Sequence, residues 1–254
     1  MRFTSLGSGS RGNALIVEGG GTRVMLDCGF SFTEITARLA RAGLTPEDIE
    51  AVVVTHEHDD HVGGVARFAA RVDIPVYLTA GTLAATANKF AGLQYHCFDP
   101  HAAFALHDLM VRPFPVPHDA REPAQFVFDD GRDRLGVLTD VGMATPHIRA
   151  MLSGCSALVL ECNHDAALLQ NGPYPAALKA RIGSRFGHLQ NADAAALLSS
   201  LDTSRLKHVV AAHLSEANNT PQLARTALGE ALGASPHEIQ VATQAVGVPW
   251  LALN

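Results

Sequence analysis

The segment Thr55-His56-Glu57-His58-Asp59-Asp60-His61-Val62-Gly63-Gly64 sets three histidines and three carboxylates in six consecutive positions. It directly follows Ala51-Val52-Val53-Val54, a continuous apolar run of the kind that forms a strand covered on both faces. Six ionisable side chains in a row cannot be core. A loop that needed only charge has no reason to place histidines at 56, 58 and 61, whereas a metal site does. The fold must therefore carry this segment from the end of a buried strand to a place where other ligands can meet it.

Spacing narrows the kind of site. In an H-E-x-x-H helix the two histidines stand at i and i+4, but the residue four after His56 is Asp60, which excludes that arrangement. An H-x-H pair at i and i+2 suits an extended segment in which both rings bend to one cation, while Asp60 and His61 begin the next turn and point elsewhere. Two neighbouring metals are expected, and they need more ligands than this segment holds. Three candidates stand at the loop-facing ends of other predicted strands: His118 after Val116-Pro117, Asp140 after Leu138-Thr139, and His213 after His208-Val209-Val210-Ala211-Ala212.

Around these positions strands and helices alternate, which predicts a layered α/β fold. Residues 14–17 and 23–26, separated by Gly19-Gly20-Gly21, read as a hairpin. The stretch 32–42 carries Ile35, Leu39 and Ala42 at helical spacing, and Thr45-Pro46-Glu47-Asp48 supplies an N-cap with proline in the first helical position. Further helices are expected over 64–70, 82–90, 192–201 and 221–232, and Ser235-Pro236-His237-Glu238 has capping-box spacing. Strands are expected over 51–55, 75–79, 109–116, 124–128, 134–139, 157–161 and 208–212, with 246–253 closing an edge. The 254 residues are 47% hydrophobic and 17% charged, enough apolar material for a sizeable core. With no linker-like or repetitive tract, one domain over 1–254 is expected.

The formal net charge is −6, so the chain as a whole does not attract nucleic acid, and any polyanion has to be held by a local site. Cys28, Cys97, Cys155 and Cys162 form no C-x-x-C pair, a pattern that reads as small core residues in a reduced compartment. No stretch approaches the roughly 20 apolar residues that span a bilayer, and Met1 to Gly7 lacks the apolar segment of a signal peptide. A cytoplasmic protein with no membrane partner is expected.

His56, His58, Asp60 and His61 together form the signature H-x-H-x-D-H, and on it the chain resembles the metallo-β-lactamase superfamily. The resemblance implies a four-layer αββα sandwich with the site at one sheet edge. It implies that one divalent ion takes His56, His58 and His118, and the other Asp60, His61 and His213, with Asp140 bridging. Asp27, in Leu26-Asp27-Cys28-Gly29, matches the family's first motif and would orient ligands from behind. Four further motifs look like the WalJ/YycJ-like branch, whose members are regarded as 5′-to-3′ DNA exonucleases. They are Ser8-Gly9-Ser10-Arg11-Gly12-Asn13, Glu161-Cys162-Asn163-His164-Asp165, Gly187-His188-Leu189-Gln190-Asn191 and His213-Leu214-Ser215-Glu216-Ala217-Asn218-Asn219. One departure is Gln190, where that branch would have Ser. The stretch from His188 to His213 is also similar to tRNA 3′-processing ribonucleases, in which a histidine placed like His188 assists at the phosphate.

Two cations about 3.5–4 Å apart lower the pKa of a shared water and stabilise an in-line displacement, so hydrolysis is the expected reaction, with Asp60 and His188 catalytic. Carboxylate ligands admit Mn²⁺ as well as Zn²⁺, and an aspartate rather than a cysteine in the second site argues against a lactamase. As an imidazolium, His188 suits a phosphodiester, because it can neutralise the developing oxyanion or protonate the leaving oxygen. The Gly-rich stretch Ser8 to Asn13 is not a P-loop, since no G-K-[ST] follows. His164 is a candidate phosphate contact, and Lys179, Arg181 and Arg185 form a local basic group suited to nucleic acid, with DNA the expected substrate. The competing enzyme reading is a small-molecule hydrolase, either a thioesterase of the glyoxalase-II type or a cyclic-phosphate phosphodiesterase, which would share every ligand. A purely structural role for the metals is disfavoured, because structural zinc sites are closed by cysteine-rich sets. The interval from Asp140 to His213 leaves no room for an inserted cap domain.

Overall fold

Apolar residues that alternate along each strand decide how the layers stack. In the computed structural model, which describes residues 1–86 and 88–253, fourteen strands are found among the described residues. In chain order they are β1 (Arg2–Gly7), β2 (Ala14–Gly19), β3 (Thr22–Leu26), β4 (Ala51–Val53), β5 (Val76–Leu78), β6 (Tyr95–Cys97) and β7 (Phe104–Leu106). There follow β8 (Leu109–Pro115), β9 (Ala124–Asp129), β10 (Arg134–Leu138), β11 (Ala157–Glu161), β12 (His208–Ala212), β13 (Gln240–Val241) and β14 (Val248–Ala252). The helices are α1 (Phe32–Arg41), α2 (Asp59–Val62), α3 (Val65–Val72), α4 (Ala80–Ala85), α5 (Pro146–Leu152), α6 (Ala166–Asn171), α7 (Ala176–Ile182), α8 (Asn191–Ser199) and α9 (Pro221–Leu232).

The strands form two sheets, ordered β14-β1-β2-β3-β4-β5-β6 and β13-β12-β11-β10-β9-β8-β7. Each sheet has an antiparallel part and a parallel part, the latter being β3 to β6 in one and β10 to β13 in the other. Val24, Leu26, Ala51 and Val53 face Leu135, Val137, Val159 and Val210 between the sheets. The alternate residues turn outward: Met25, Val52 and Val54 pack with Ile35 and Leu39 of α1 and Phe68 of α3. Likewise Leu158, Leu160, Val209 and Ala211 pack with Ile148 of α5, Leu197 of α8 and Leu228 of α9. The result is the expected αββα sandwich.

Several local expectations need correction. The predicted strand 51–55 stops at Val53, because the chain already bends toward the histidine segment. The expected helix 82–90 is α4, over Ala80–Ala85, and Ala87 of that stretch lies outside the described residues. Ser235 caps only a 3₁₀ turn, its Oγ accepting from His237 N at 3.4 Å. Cys97 is exposed on β6, unlike the three buried cysteines, because all of that strand is exposed. The sequence reading missed β1 and the short strands β6, β7 and β13, which owe their pairing to neighbouring strands rather than to their own pattern.

The loops that leave β3, β4, β10, β11 and β12 meet at one edge, where open α/β sheets place their ligands. Five non-glycine residues among those described have positive φ, and three of them, Asp27 (59°), Asp140 (52°) and His213 (54°), directly follow these strands or lie one residue beyond. A left-handed residue there turns the chain sharply, at a cost of about 1–3 kcal/mol each, which the surrounding structure has to offset. Part of that support is backbone packing. Cys28 N donates to His61 O (2.8 Å), Gly64 N to Cys28 O (2.8 Å) and Asn13 N to Asp60 O (2.8 Å), so the segment after β3 and the histidine segment are stitched together. Their contact leaves no space for a side chain at Gly29, where a methyl group would overlap the Asp60 carbonyl. Gly29→Ala is therefore expected to lower stability by at least ~2 kcal/mol through overpacking against rigid backbone, measured by chemical denaturation. An unchanged midpoint would mean the two segments are not held in this register.

Candidate metal centre

The histidine segment folds as its spacing requires. His56 and His58 precede α2 in extended chain, whereas Asp60 and His61 lie on its single turn. His118 arrives from the loop after β8, Asp140 from beyond β10 and His213 from the end of β12, so the structure brings all seven expected side chains to one place. His56, His58 and His118 form one group that could hold a metal, and Asp60, His61 and His213 form another, while Asp140 joins groups with His61 and with His213. His58 Nδ1 stands 3.0 Å from His56 Nε2 and 3.3 Å from His118 Nε2. Tetrahedral nitrogen ligands at about 2.0–2.1 Å from zinc lie about 3.3 Å from one another, so this triangle has the dimensions of a ligand set.

The second group is similar. Asp60 Oδ2 lies 3.5 Å from both His61 Nε2 and His213 Nε2, and Asp140 Oδ2 lies 3.0 Å from His61 Nε2. Asp140 Oδ2 is nevertheless buried without an aligned hydrogen-bond donor among the described residues. A buried carboxylate oxygen this close to an imidazole nitrogen yet out of line for a full hydrogen bond fits a pair of ligands aimed at a shared cation.

Partners behind the rings assign the ligating nitrogen in each case. His61 Nδ1 donates to Asp27 Oδ2 (2.7 Å), and Thr55 donates to the same carboxylate through its N (2.8 Å) and its Oγ1 (2.9 Å). His56 Nδ1 donates to Thr55 Oγ1 (2.9 Å), and His118 Nδ1 to Gly187 O (3.1 Å). His213 Nδ1 donates to Glu161 Oε1 (3.2 Å). Each of these four rings therefore turns Nε2 inward, the nitrogen that ligates once it is free of a proton. Asp27 stands where the sequence placed it. Thr55 and Glu161, and Asn13, whose Nδ2 lies 3.2 Å from Asp60 O and 3.1 Å from His61 Nε2, were not assigned roles. For Glu161 a signal existed: it closes the apolar run Ala157-Leu158-Val159-Leu160, much as Asp140 follows β10.

Electrostatics point the same way. Burial works against charge throughout, and for His56 it prevails, together with the charge of His61, holding that ring far below its usual value. For His213 the nearby Asp140, with hydrogen bonds to Asp60 and Glu161, outweighs burial and pushes the ring up to about 10. His61 is raised for the same reason, against its own burial, by Asp140, Asp27 and Asp60. Asp60 is held well below the carboxylate range despite burial, chiefly by His61 and His213. Without a metal, buried carboxylates thus recruit protons onto histidines to balance their charge, which is the task a divalent cation performs.

A cavity of about 420 Å³ opens over this group, lined also by Ser10, Asn163, Tyr174, Arg181 and His188. His188 Nδ1 donates to Glu161 Oε1 (2.8 Å), and Glu161 Oε2 accepts from Val141 N (3.0 Å) and Leu189 N (3.2 Å). Burial lowers the His188 pKa, but the Glu161 carboxylate more than reverses this and leaves the ring raised. The expected basic group is divided: Arg181 faces this cavity and pairs with Asp119 (2.6 Å), Lys179 lines a neighbouring cavity with His164, and Arg185 rests its Nε against Met143 Sδ (3.3 Å).

Ligation requires neutral rings, and His61 and His213 carry protons in the metal-free protein near pH 7. Metal uptake is therefore expected to release protons, and affinity to rise with pH through the range near 10, across which His213 loses its proton. Calorimetry in buffers of different ionisation enthalpy reads this directly. Proton uptake, or an affinity indifferent to pH, contradicts the assignment.

A family profile for the Beta-lactamase superfamily domain matches residues 22–213. The chain is 34% identical over 235 residues to exodeoxyribonuclease YycJ of Bacillus anthracis, covering 91% of this chain and 89% of that protein. It is 33% identical over 229 residues to exodeoxyribonuclease WalJ of Streptococcus pneumoniae, covering 88% and 85% respectively. Among solved structures it superposes on Zn²⁺-bound PqqB from Methylobacterium extorquens with a TM-score of 0.76 at 18% identity, covering 99% of this chain and 100% of that one, a likeness of fold. By sequence, fold and the arrangement of its histidines and carboxylates, this chain belongs to the metallo-β-lactamase superfamily, as a homologue of YycJ and WalJ.

Proposed function

We propose that the chain is a dinuclear-metal phosphodiesterase, acting as a single domain and releasing nucleotides from DNA ends in the 5′-to-3′ direction. Relatives named exodeoxyribonucleases, matched over most of their length, support the substrate class. Zn²⁺ or Mn²⁺ would be held by His56, His58 and His118 on one side and Asp60, His61 and His213 on the other, with Asp140 between. When bound, such a pair supplies Lewis acidity and lowers the pKa of water at the site. Free Cys28, Cys97, Cys155 and Cys162 fit a cytoplasmic location, and no helix among the described residues is long and apolar enough to cross a membrane.

The observation that carries this reading is the His188–Glu161 pair beside the ligand set. Glu161 keeps the imidazolium charged and its Nε2–H turned away from Nδ1, so that the ring can donate to a phosphoryl oxygen or to the departing sugar oxygen. A thioester leaves as a thiolate of pKa about 8.5 and needs no such acid, whereas a sugar alkoxide is far more basic and does. Asp60, held ionised with its side chain 22% exposed, accepts a hydrogen bond from the attacking water and orients it.

With 5′-labelled single-stranded DNA, Mn²⁺-dependent nucleotide release is expected, and Asp60→Asn and His188→Ala should each lower kcat by about 10²–10⁴-fold. Thioester or cyclic-nucleotide turnover without nuclease activity would instead establish the small-molecule reading. Glu161→Gln removes the charge that raises His188, so the acid form of the ring is lost at lower pH. The alkaline limb of the kcat profile should move down accordingly, and a limb left in place would show that His188 is not the acid.

A further inference from the structure

A second cavity, of about 410 Å³, shares His188 with the cavity over the metal ligands and is lined by His164, Lys179, Gln190 and Asp193 among others, with none of the seven candidate ligands. His164 is 4% exposed and its Nδ1 is buried without a hydrogen-bond partner among the described residues. Its backbone is fixed, its carbonyl accepting from Asn191 N at 2.9 Å, and it bridges to Gln190. A buried N–H left unpaired is rarer in proteins than an unpaired acceptor, so the neutral ring carries its hydrogen on Nε2. Nδ1 is then the orphaned acceptor, and Nε2–H, which makes no hydrogen bond among the described residues, is a donor for whatever fills the cavity. The N-terminus of α8 opens at the same place, where Gln190 caps the helix without a side-chain bond to its amides. The one carboxylate in the lining, Asp193, already takes the Gln190 amide at 3.0 Å. Lys179 adds an ammonium group, anchored by its bond to Gln170 O (2.7 Å).

Donors on an imidazole and an ammonium, with the Ala192 amide at the helix end, where Asn191 N and Asp193 N are already bonded to His164 O and Gln190 O, select an anion. We propose that this cavity binds a phosphate of the substrate strand next to the one being cleaved, with His164 and Lys179 as its binding residues. The proposal rests on the phosphodiesterase reading above. Helix α7 explains the division of the basic residues: Lys179 and Arg181 stand two residues apart, about 200° around the helix, so one faces each cavity. His188 is the wall between them, and a strand with one phosphate at the metal ligands can lay its neighbour beside His164.

The test compares the thymidine dinucleotide TpT with its 5′-phosphorylated and 3′-phosphorylated forms. One phosphorylated form should show kcat/KM at least about tenfold above TpT, the scale of a charge-assisted hydrogen bond. In Lys179→Ala and His164→Gln that ratio should fall toward one. Equal rates for all three dinucleotides, or a preference that survives both substitutions, would overturn the proposal. Calorimetry of thymidine 3′,5′-bisphosphate binding to the metal-free protein gives a readout independent of hydrolysis. Affinity should fall at least about fivefold in Lys179→Ala, a surface change that leaves the core untouched, and an unchanged affinity rejects the cavity. If the wild-type protein hydrolyses no dinucleotide, the phosphodiesterase reading fails, while the binding measurement still decides whether the cavity takes phosphate.

Discussion

Buried negative charge is the constraint on which this protein turns. Asp27, Asp60, Asp140 and Glu161 converge at one sheet edge, and Asp140 and Glu161 are almost wholly withdrawn from solvent. Carboxylates in such a place are tolerated only when opposite charge or hydrogen-bond donors answer them. The protein supplies part of the answer itself, by protonating His61 and His213 and by aiming backbone amides at Glu161. What it answers only in part, most plainly at the unaligned Asp140 Oδ2 beside His61, is shaped for a cation.

That demand links the fold to the chemistry. Two sheets with parallel strands bring several strand ends to one edge, and left-handed residues at Asp27, Asp140 and His213 turn each chain so that its side chain enters the site. The strain is held by backbone stitching between the segments after β3 and β4 and by carboxylates behind the rings. Glu161 serves two neighbours at once, orienting His213 toward the metal ligands and keeping His188 charged beside them. Ligand placement and the candidate acid are therefore mechanically coupled through one buried carboxylate.

Much of this was legible before folding. The strands that pack on both faces, the hairpin ending at Leu26 and the histidine segment all announce themselves through short-range pattern, because burial periodicity and ligand spacing are local properties. Where reading failed, the cause was tertiary. Strand β1 carries weak alternation and is defined by pairing with β2 and β14. Cys97 looks like any small core residue until its strand proves to be a solvent-facing edge. Lys179, Arg181 and Arg185 read as one basic group along the chain, yet a helical turn sends the first two to different cavities.

The sequence alone determined the layered architecture and the identities of seven candidate ligands, since the period of apolar residues and the chemistry of side chains do not depend on distant neighbours. Only the tertiary structure decided which nitrogen of each histidine faces inward, that Glu161 stands behind both His188 and His213, and that His164 is left with an unpartnered nitrogen. Those outcomes hinge on partners tens of residues away in the chain, and on how far burial strengthens one charge against another. Neither quantity exists until the sheets have closed on each other.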